Sequence, residues 1–255
     1  MALIECSFYS EMLGFNSSMY VILPQQTTTQ IGLKGSAQRD RYPTLYLLHG
    51  LSDDHSIWLR RTSIERYVSE MGLAVVMPQV HRSFYTDMKH GYKYWSFLSE
   101  ELLSITRQFF PLSDRREDTY AAGLSMGGYG AFKWALRRPD CIAAAASLSG
   151  ALDVSGRQLK ELLSSDFKLI FGDQSPKGSD DDLMHLLHTC NQQAAQKPKL
   201  YQCCGTEDFL YRENQRFREA VSLTSIEHEY HEGPGDHTWD YWDARIQDVL
   251  KWLPL

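Results

Sequence analysis

The sequence predicts an α/β fold, a mostly parallel, doubly wound sheet with helices on both faces and antiparallel strands at its N-terminal edge. Three observations carry this. Short apolar runs alternate with amphipathic stretches of helical length, as a parallel sheet buried on both faces requires. Most of these runs stop at Gly or Pro, among them 44–48 before His49-Gly50 and 73–77 before Pro78. No repeat, low-complexity tract or linker interrupts the pattern, so one domain is expected over 1–255.

Taken in order, the first ~40 residues read as an antiparallel hairpin, with strands at 7–10 and 18–23 and the polar stretch 25–30 as its loop or turn. Strands follow at 44–48, 73–77, 119–122, 143–148, 199–203 and 226–230, and helical patterns at 57–71, 96–109, 126–138, 209–223 and 238–252. Two segments leave the alternation. Residues 80–95 are rich in aromatics and have no clear period, and 151–192 contains the run Ser179-Asp180-Asp181-Asp182. Excursions of this length in an α/β domain act as lids or pocket walls.

Composition narrows the function classes. With 43% hydrophobic and 23% charged residues the chain can bury a core, which excludes disorder as its main state. A net charge of −6 argues against a phosphate-backbone partner, so no nucleic acid is expected. No stretch approaches a membrane span, and the N-terminus lacks the basic and apolar regions of a signal peptide. The five cysteines are odd in number and include no C-x-x-C. Reduced thiols, a cytoplasmic setting, and neither metal nor cofactor are therefore expected.

Gly123-Leu124-Ser125-Met126-Gly127 matches G-x-S-x-G between a strand run and a helix run. A nucleophile on so tight a turn needs small neighbours, and the helix behind it favours developing negative charge. The bland alternative is a Gly-rich turn that packs a helix on the sheet. A serine needs a base, and the base an orienting carboxylate; on the α/β-hydrolase fold they follow in the order Ser, acid, His. His237, in the loop Gly233-Pro234-Gly235-Asp236-His237 before the last helix, is the expected base. His185, His188 and His228 fit structural roles better. The acid should follow the penultimate strand, where Glu207 and Asp208 compete; Asp208, just before the helix, is preferred. Two backbone N–H groups should form the oxyanion hole: Met126, after the nucleophile, and Leu51, in the loop after the strand at 44–48. His49 is expected to pack or bond beneath that loop rather than react.

These residues resemble a family. The stretches 49–54, 82–88, 123–131 and 203–210 together look like the tributyrin esterase family, in the group that includes esterase D and the S-formylglutathione hydrolases. The likeness runs from about residue 3 to 253. It implies a cytoplasmic serine carboxylesterase for short acyl chains, often a homo-oligomer, with Ser125, Asp208 and His237 as triad and Leu51 and Met126 as oxyanion donors. It differs from the formylglutathione branch in having no cysteine in 51–57, which weighs against a glutathione thioester. The substrate expected is a small ester, acetyl to butyryl, with Tyr85, Tyr92 and Trp95 walling its pocket. A thioesterase or acyltransferase with the same triad is the alternative, and a non-catalytic binding protein the more distant one.

Overall fold

A computed structural model describes all 255 residues. Its strands are β1 (Ala2–Ser10), β2 (Phe15–Leu23), β3 (Thr44–Leu48), β4 (Ala74–Pro78), β5 (Thr119–Leu124), β6 (Ala144–Leu148), β7 (Lys199–Gly205) and β8 (His228–Gly233). They form one sheet in the order β1-β2-β4-β3-β5-β6-β7-β8. β1 and β2 pair antiparallel, as do β2 and β4, and every later pair is parallel. β3 to β6 are buried along their whole length, which is why they read as unbroken apolar runs rather than alternating ones.

The helices are α1 (Ile57–Arg61), α2 (Ile64–Tyr67), α3 (Tyr94–Ser96), α4 (Leu102–Phe109), α5 (Met126–Arg137), α6 (Arg157–Leu162), α7 (Ser164–Phe171), α8 (Leu183–Gln193), α9 (Tyr211–Ser222) and α10 (Trp239–Trp252). A π-helical turn, Phe97–Glu101, joins α3 to α4. Two apolar layers result. Residues of α1, α2 and α10, among them Trp58, Ile64 and Ile246, fill one face of the sheet. Residues of α4, α5, α8 and α9, among them Leu102, Phe132, Leu186 and Phe217, fill the other.

Three expectations are corrected. The hairpin turn is at 11–14, where the Gly14 N–H bonds the Ser10 carbonyl at 2.8 Å, and the polar stretch 25–30 lies beyond β2. Met12 and Leu13 disguise this turn; Leu13 is buried, and the Glu101 carboxylate accepts the Glu11 N–H at 2.7 Å. The helix expected over 57–71 is two short ones. Thr62 is extended, its hydroxyl donating back to the Trp58 carbonyl (2.6 Å) and accepting the Ile64 N–H (3.1 Å), the local competition by which Thr interrupts a helix. The last strand begins and ends later than 226–230, because Ile226 is drawn into the core ahead of it.

Candidate active site

The carboxyl ends of β5, β7 and β8 carry Ser125, Asp208 and His237. Ser125 sits at φ +52°, ψ −116°, a strained region for a residue with a side chain. The strain is held from several sides. The Ser125 N–H donates to the Leu148 carbonyl at 2.9 Å, and the Ser125 carbonyl accepts the Ala151 N–H at 3.0 Å. α5 follows at once and passes so close to β3 that a Cβ on Gly127 would collide with the carbonyl oxygens of Leu48 and His49. Met126 opens α5, so its N–H is one of the four that a helix cannot pair internally.

His237 Nδ1 is 2.8 Å from Asp208 Oδ2, and the Asp208 side chain is fully buried while the imidazole is about four-fifths covered. Oδ1 of the same carboxylate accepts the Leu210 N–H at 2.8 Å. A carboxylate so held orients the ring and favours the tautomer with its N–H on Nδ1, in which Nε2 is the acceptor. That nitrogen has no protein partner and is not hydrogen-bonded to Ser125 Oγ, a contact that commonly tightens only when substrate binds. The rings of Phe209 and Trp242 flank the imidazole at centroid distances of 4.7 and 4.8 Å.

Glu207, the competing acid, does something else. Its carboxylate accepts the Gly235 N–H at 2.5 Å and so ties the acid loop to the base loop. Gly235 has φ +149°, and a Cβ there would strike the Tyr241 ring. Asp236 accepts the His237 N–H at 2.7 Å and turns its carboxylate to that backbone, not to the ring.

Leu51 lies in the loop after β3, and its N–H has no protein acceptor. His49 is buried beneath this loop, with Nδ1 2.7 Å from the Gly50 carbonyl oxygen and Nε2 accepting the Val80 N–H at 3.1 Å. Burial pushes its pKa down to about 4, so the ring is neutral near pH 7.

Beside Leu51 opens a cavity of about 740 Å3, walled by the loop after β4 and by α7. Of the three aromatics expected to wall a substrate pocket, Tyr92 lines this cavity. Tyr85 and Trp95 are buried and do not reach it. The Tyr85 ring fills the space over Gly130 and its hydroxyl donates to the His49 carbonyl at 2.9 Å, while the Trp95 ring lies under Arg137. Apolar bulk in an aperiodic segment is spent here on packing.

Sequence reasoning missed Lys133. Its side chain is fully buried on α5, and Nζ donates to the Tyr85 carbonyl (2.9 Å), the Thr86 hydroxyl (2.8 Å) and Asp181 (2.6 Å). All three donors are used, which is what a buried ammonium needs. The signal was present: it is the lone charge inside the apolar, small-residue stretch 126–136. The acidic run also resolves into separate roles. Asp180 pairs with Arg137 at 2.8 Å, Asp181 with Lys133, and Asp182 caps α8 through the Met184 N–H at 3.0 Å.

Comparison with known proteins decides the family. A family model described as "Putative esterase" matches residues 10–253. The chain belongs to this esterase family. An acetyl esterase of Caldicellulosiruptor saccharolyticus is 32% identical to it, covering 99% of this chain and 98% of that protein. Among solved structures, the fluorophosphonate-binding serine hydrolase FphF of Staphylococcus aureus superposes with a TM-score of 0.89 at 37% identity, covering 99% of this chain and 98% of its own. The S-formylglutathione hydrolase FrmB of Staphylococcus aureus superposes with a TM-score of 0.86 at 36% identity, with the same coverage. The fold is that of the α/β-hydrolases, in the esterase D and FrmB-like group, and the esterase is a carboxylic ester hydrolase. No helix is long and apolar enough to cross a membrane.

Proposed function

We propose that this esterase is a serine carboxylesterase for short-chain acyl esters, acetyl to butyryl, working through an acyl-serine intermediate. The observation that carries the reading is the bond between His237 Nδ1 and the buried Asp208, set beside a Ser125 held on a strained turn. Ser125 Oγ attacks the ester carbonyl carbon and His237 Nε2 takes its proton. The negative charge that forms on the carbonyl oxygen meets the N–H groups of Leu51 and Met126. Collapse breaks the acyl–oxygen bond, and His237 returns the proton to the departing alcohol. Water, activated by the same His, then releases the acid and frees Ser125. Residues 80–95 and 151–192 serve as pocket walls within a single domain.

The acetyl esterase relative supports the short acyl group. A second reading, thioester hydrolysis with the same triad, is favoured by the likeness to FrmB. The cysteines do not help it, since none lines the cavity beside Leu51. Ser125→Ala should abolish p-nitrophenol release from p-nitrophenyl acetate and butyrate, together with labelling by a fluorophosphonate. Turnover at the wild-type rate would reject the nucleophile. Rates on matched oxygen esters and thioesters separate the two readings.

A further inference from the structure

The cavity beside Leu51, at about 740 Å3, is several times larger than an acetyl or butyryl group requires. Its walls indicate what else enters. Phe15, Tyr92 and Tyr94 all line it. Phe15 meets Tyr92 edge to face at 4.8 Å between centroids, and Tyr92 meets Tyr94 at 6.3 Å with planes 83° apart. The three rings thus form one edge-to-face cluster in the cavity wall, in which Tyr94 is buried and supports Tyr92 from behind. Tyr92 is about half exposed, so part of its ring is free to meet a ligand.

The charges in the cavity do not cancel. Arg82 is committed, its Nε and Nη2 forking onto the two oxygens of Asp166 at 3.0 and 2.7 Å. His81 and His90 line the cavity too, and burial shifts His81 further toward its neutral form. Asp53, on the Leu51 loop, has no salt-bridge partner, and Arg60 and Arg61 act on it only at longer range. Its half-buried carboxyl lies against the Gly50 backbone, whose hydrogen bond offsets part of the upward pKa shift that desolvation causes.

We propose that this cavity is the alcohol-side subsite of the esterase and that it takes an ammonium-bearing group, held by Asp53 and by the rings of Phe15 and Tyr92. The proposal rests on the short-acyl esterase reading, in which the acyl group stays at Ser125 and the rest of the substrate needs a place. Ring faces attract a cation through their quadrupole, and a quaternary or primary ammonium suits an aromatic wall beside a carboxylate. The chemistry is otherwise unchanged: the acyl–oxygen bond breaks, the acyl group passes to Ser125 Oγ, and the amino alcohol leaves with the proton from His237.

The test compares butyrylcholine, its uncharged carbon isostere 3,3-dimethylbutyl butyrate, and glyceryl monobutyrate on the full chain. The expected result is a kcat/KM for the choline ester about tenfold above the isostere, with free choline a competitive inhibitor of p-nitrophenyl butyrate hydrolysis. Asp53→Asn and Tyr92→Ala should each bring the cation-to-isostere ratio close to one. That ratio is taken within one variant, so a general loss of activity does not mimic it. Equal rates on the two esters, a preference for the glycerol ester, or a cation preference that survives Asp53→Asn overturns the proposal. So does failure on all three esters while p-nitrophenyl butyrate is cleaved, an outcome that leaves the esterase reading standing. Failure on p-nitrophenyl butyrate as well removes that reading and the subsite with it.

Discussion

His49 Nδ1 lies 2.7 Å from the carbonyl oxygen of Gly50 and donates to it, because the Val80 N–H already occupies Nε2 as an acceptor. The peptide that follows is trans, so its N–H, that of Leu51, points away from the pinned carbonyl. One buried ring thereby sets the direction of a proposed oxyanion donor. Replacing His49 with Phe should lower kcat on p-nitrophenyl butyrate about 10- to 100-fold, short of or equal to the loss of a whole donor. KM should change little. A boronate or trifluoromethyl ketone inhibitor should weaken in parallel with kcat, which a loss of folded protein alone would not produce. An unchanged kcat would remove His49 from this role.

The acid assignment separates cleanly by mutation. Asp208→Asn should cost on the order of 10³ to 10⁴ in kcat, since the imidazole then loses its fixed tautomer. Glu207→Gln should cost less than about tenfold, through looser seating of the base loop by way of Gly235. Steady-state rates of the two variants decide it, and the reverse ranking would make Glu207 the acid.

Glu213 on α9 is fully buried, and neither carboxyl oxygen has a hydrogen-bond partner. Burial, with Asp153 and Asp208 adding repulsion against a smaller pull from Arg216, raises its pKa to about 7. The folded state therefore holds this proton more tightly than the unfolded chain, whose Glu titrates near 4.5. The stability it confers is complete below about pH 4.5 and lost as pH rises through about 7. Glu213→Gln should be more stable than the parent at pH 8, with the advantage shrinking toward pH 5, as thermal melts across that range would show. A constant difference in melting temperature would contradict the assignment.

Lys133→Met should destabilise the protein by on the order of 3 kcal/mol, because it strands Asp181 and leaves the Tyr85 carbonyl without its donor. Urea unfolding measures it. Adding Asp181→Asn should recover part of the loss, since that change removes the stranded charge.

The mostly parallel sheet with its antiparallel N-terminal edge, and Ser125, Asp208 and His237 as candidates, were legible because β5 and β7 are buried runs that stop at tight loops, while the partly exposed β8 ends at the Gly-rich loop before His237. That local signature survives without knowledge of the neighbours. The choice between Glu207 and Asp208 could be ranked but not settled, since both lie within one turn and only the packed loop shows which reaches the imidazole. Tyr85 and Trp95 were misplaced for a different reason. In a segment without period nothing in the chain says which ring faces the core; here Phe84 and Tyr85, both at positive φ, are turned inward, and Trp95 is buried on α3. Lys133 was hidden because its partners lie 47 and 48 residues away, a distance that local pattern cannot span.

Lys133 also bears on how such an enzyme can be altered. Its three acceptors come from two separate excursions, at Tyr85 and Thr86 on one side and Asp181 on the other, and its stem belongs to the helix that follows Ser125. The two walls are thus heritable only as a set. A graft that imports a foreign 151–192 to change substrate range, but brings no carboxylate to position 181, leaves an orphan ammonium four residues past Tyr129, one helical turn further along α5. Successful transplants between esterases of this type should be those that carry both ends of the tie, or that replace the lysine in the same step.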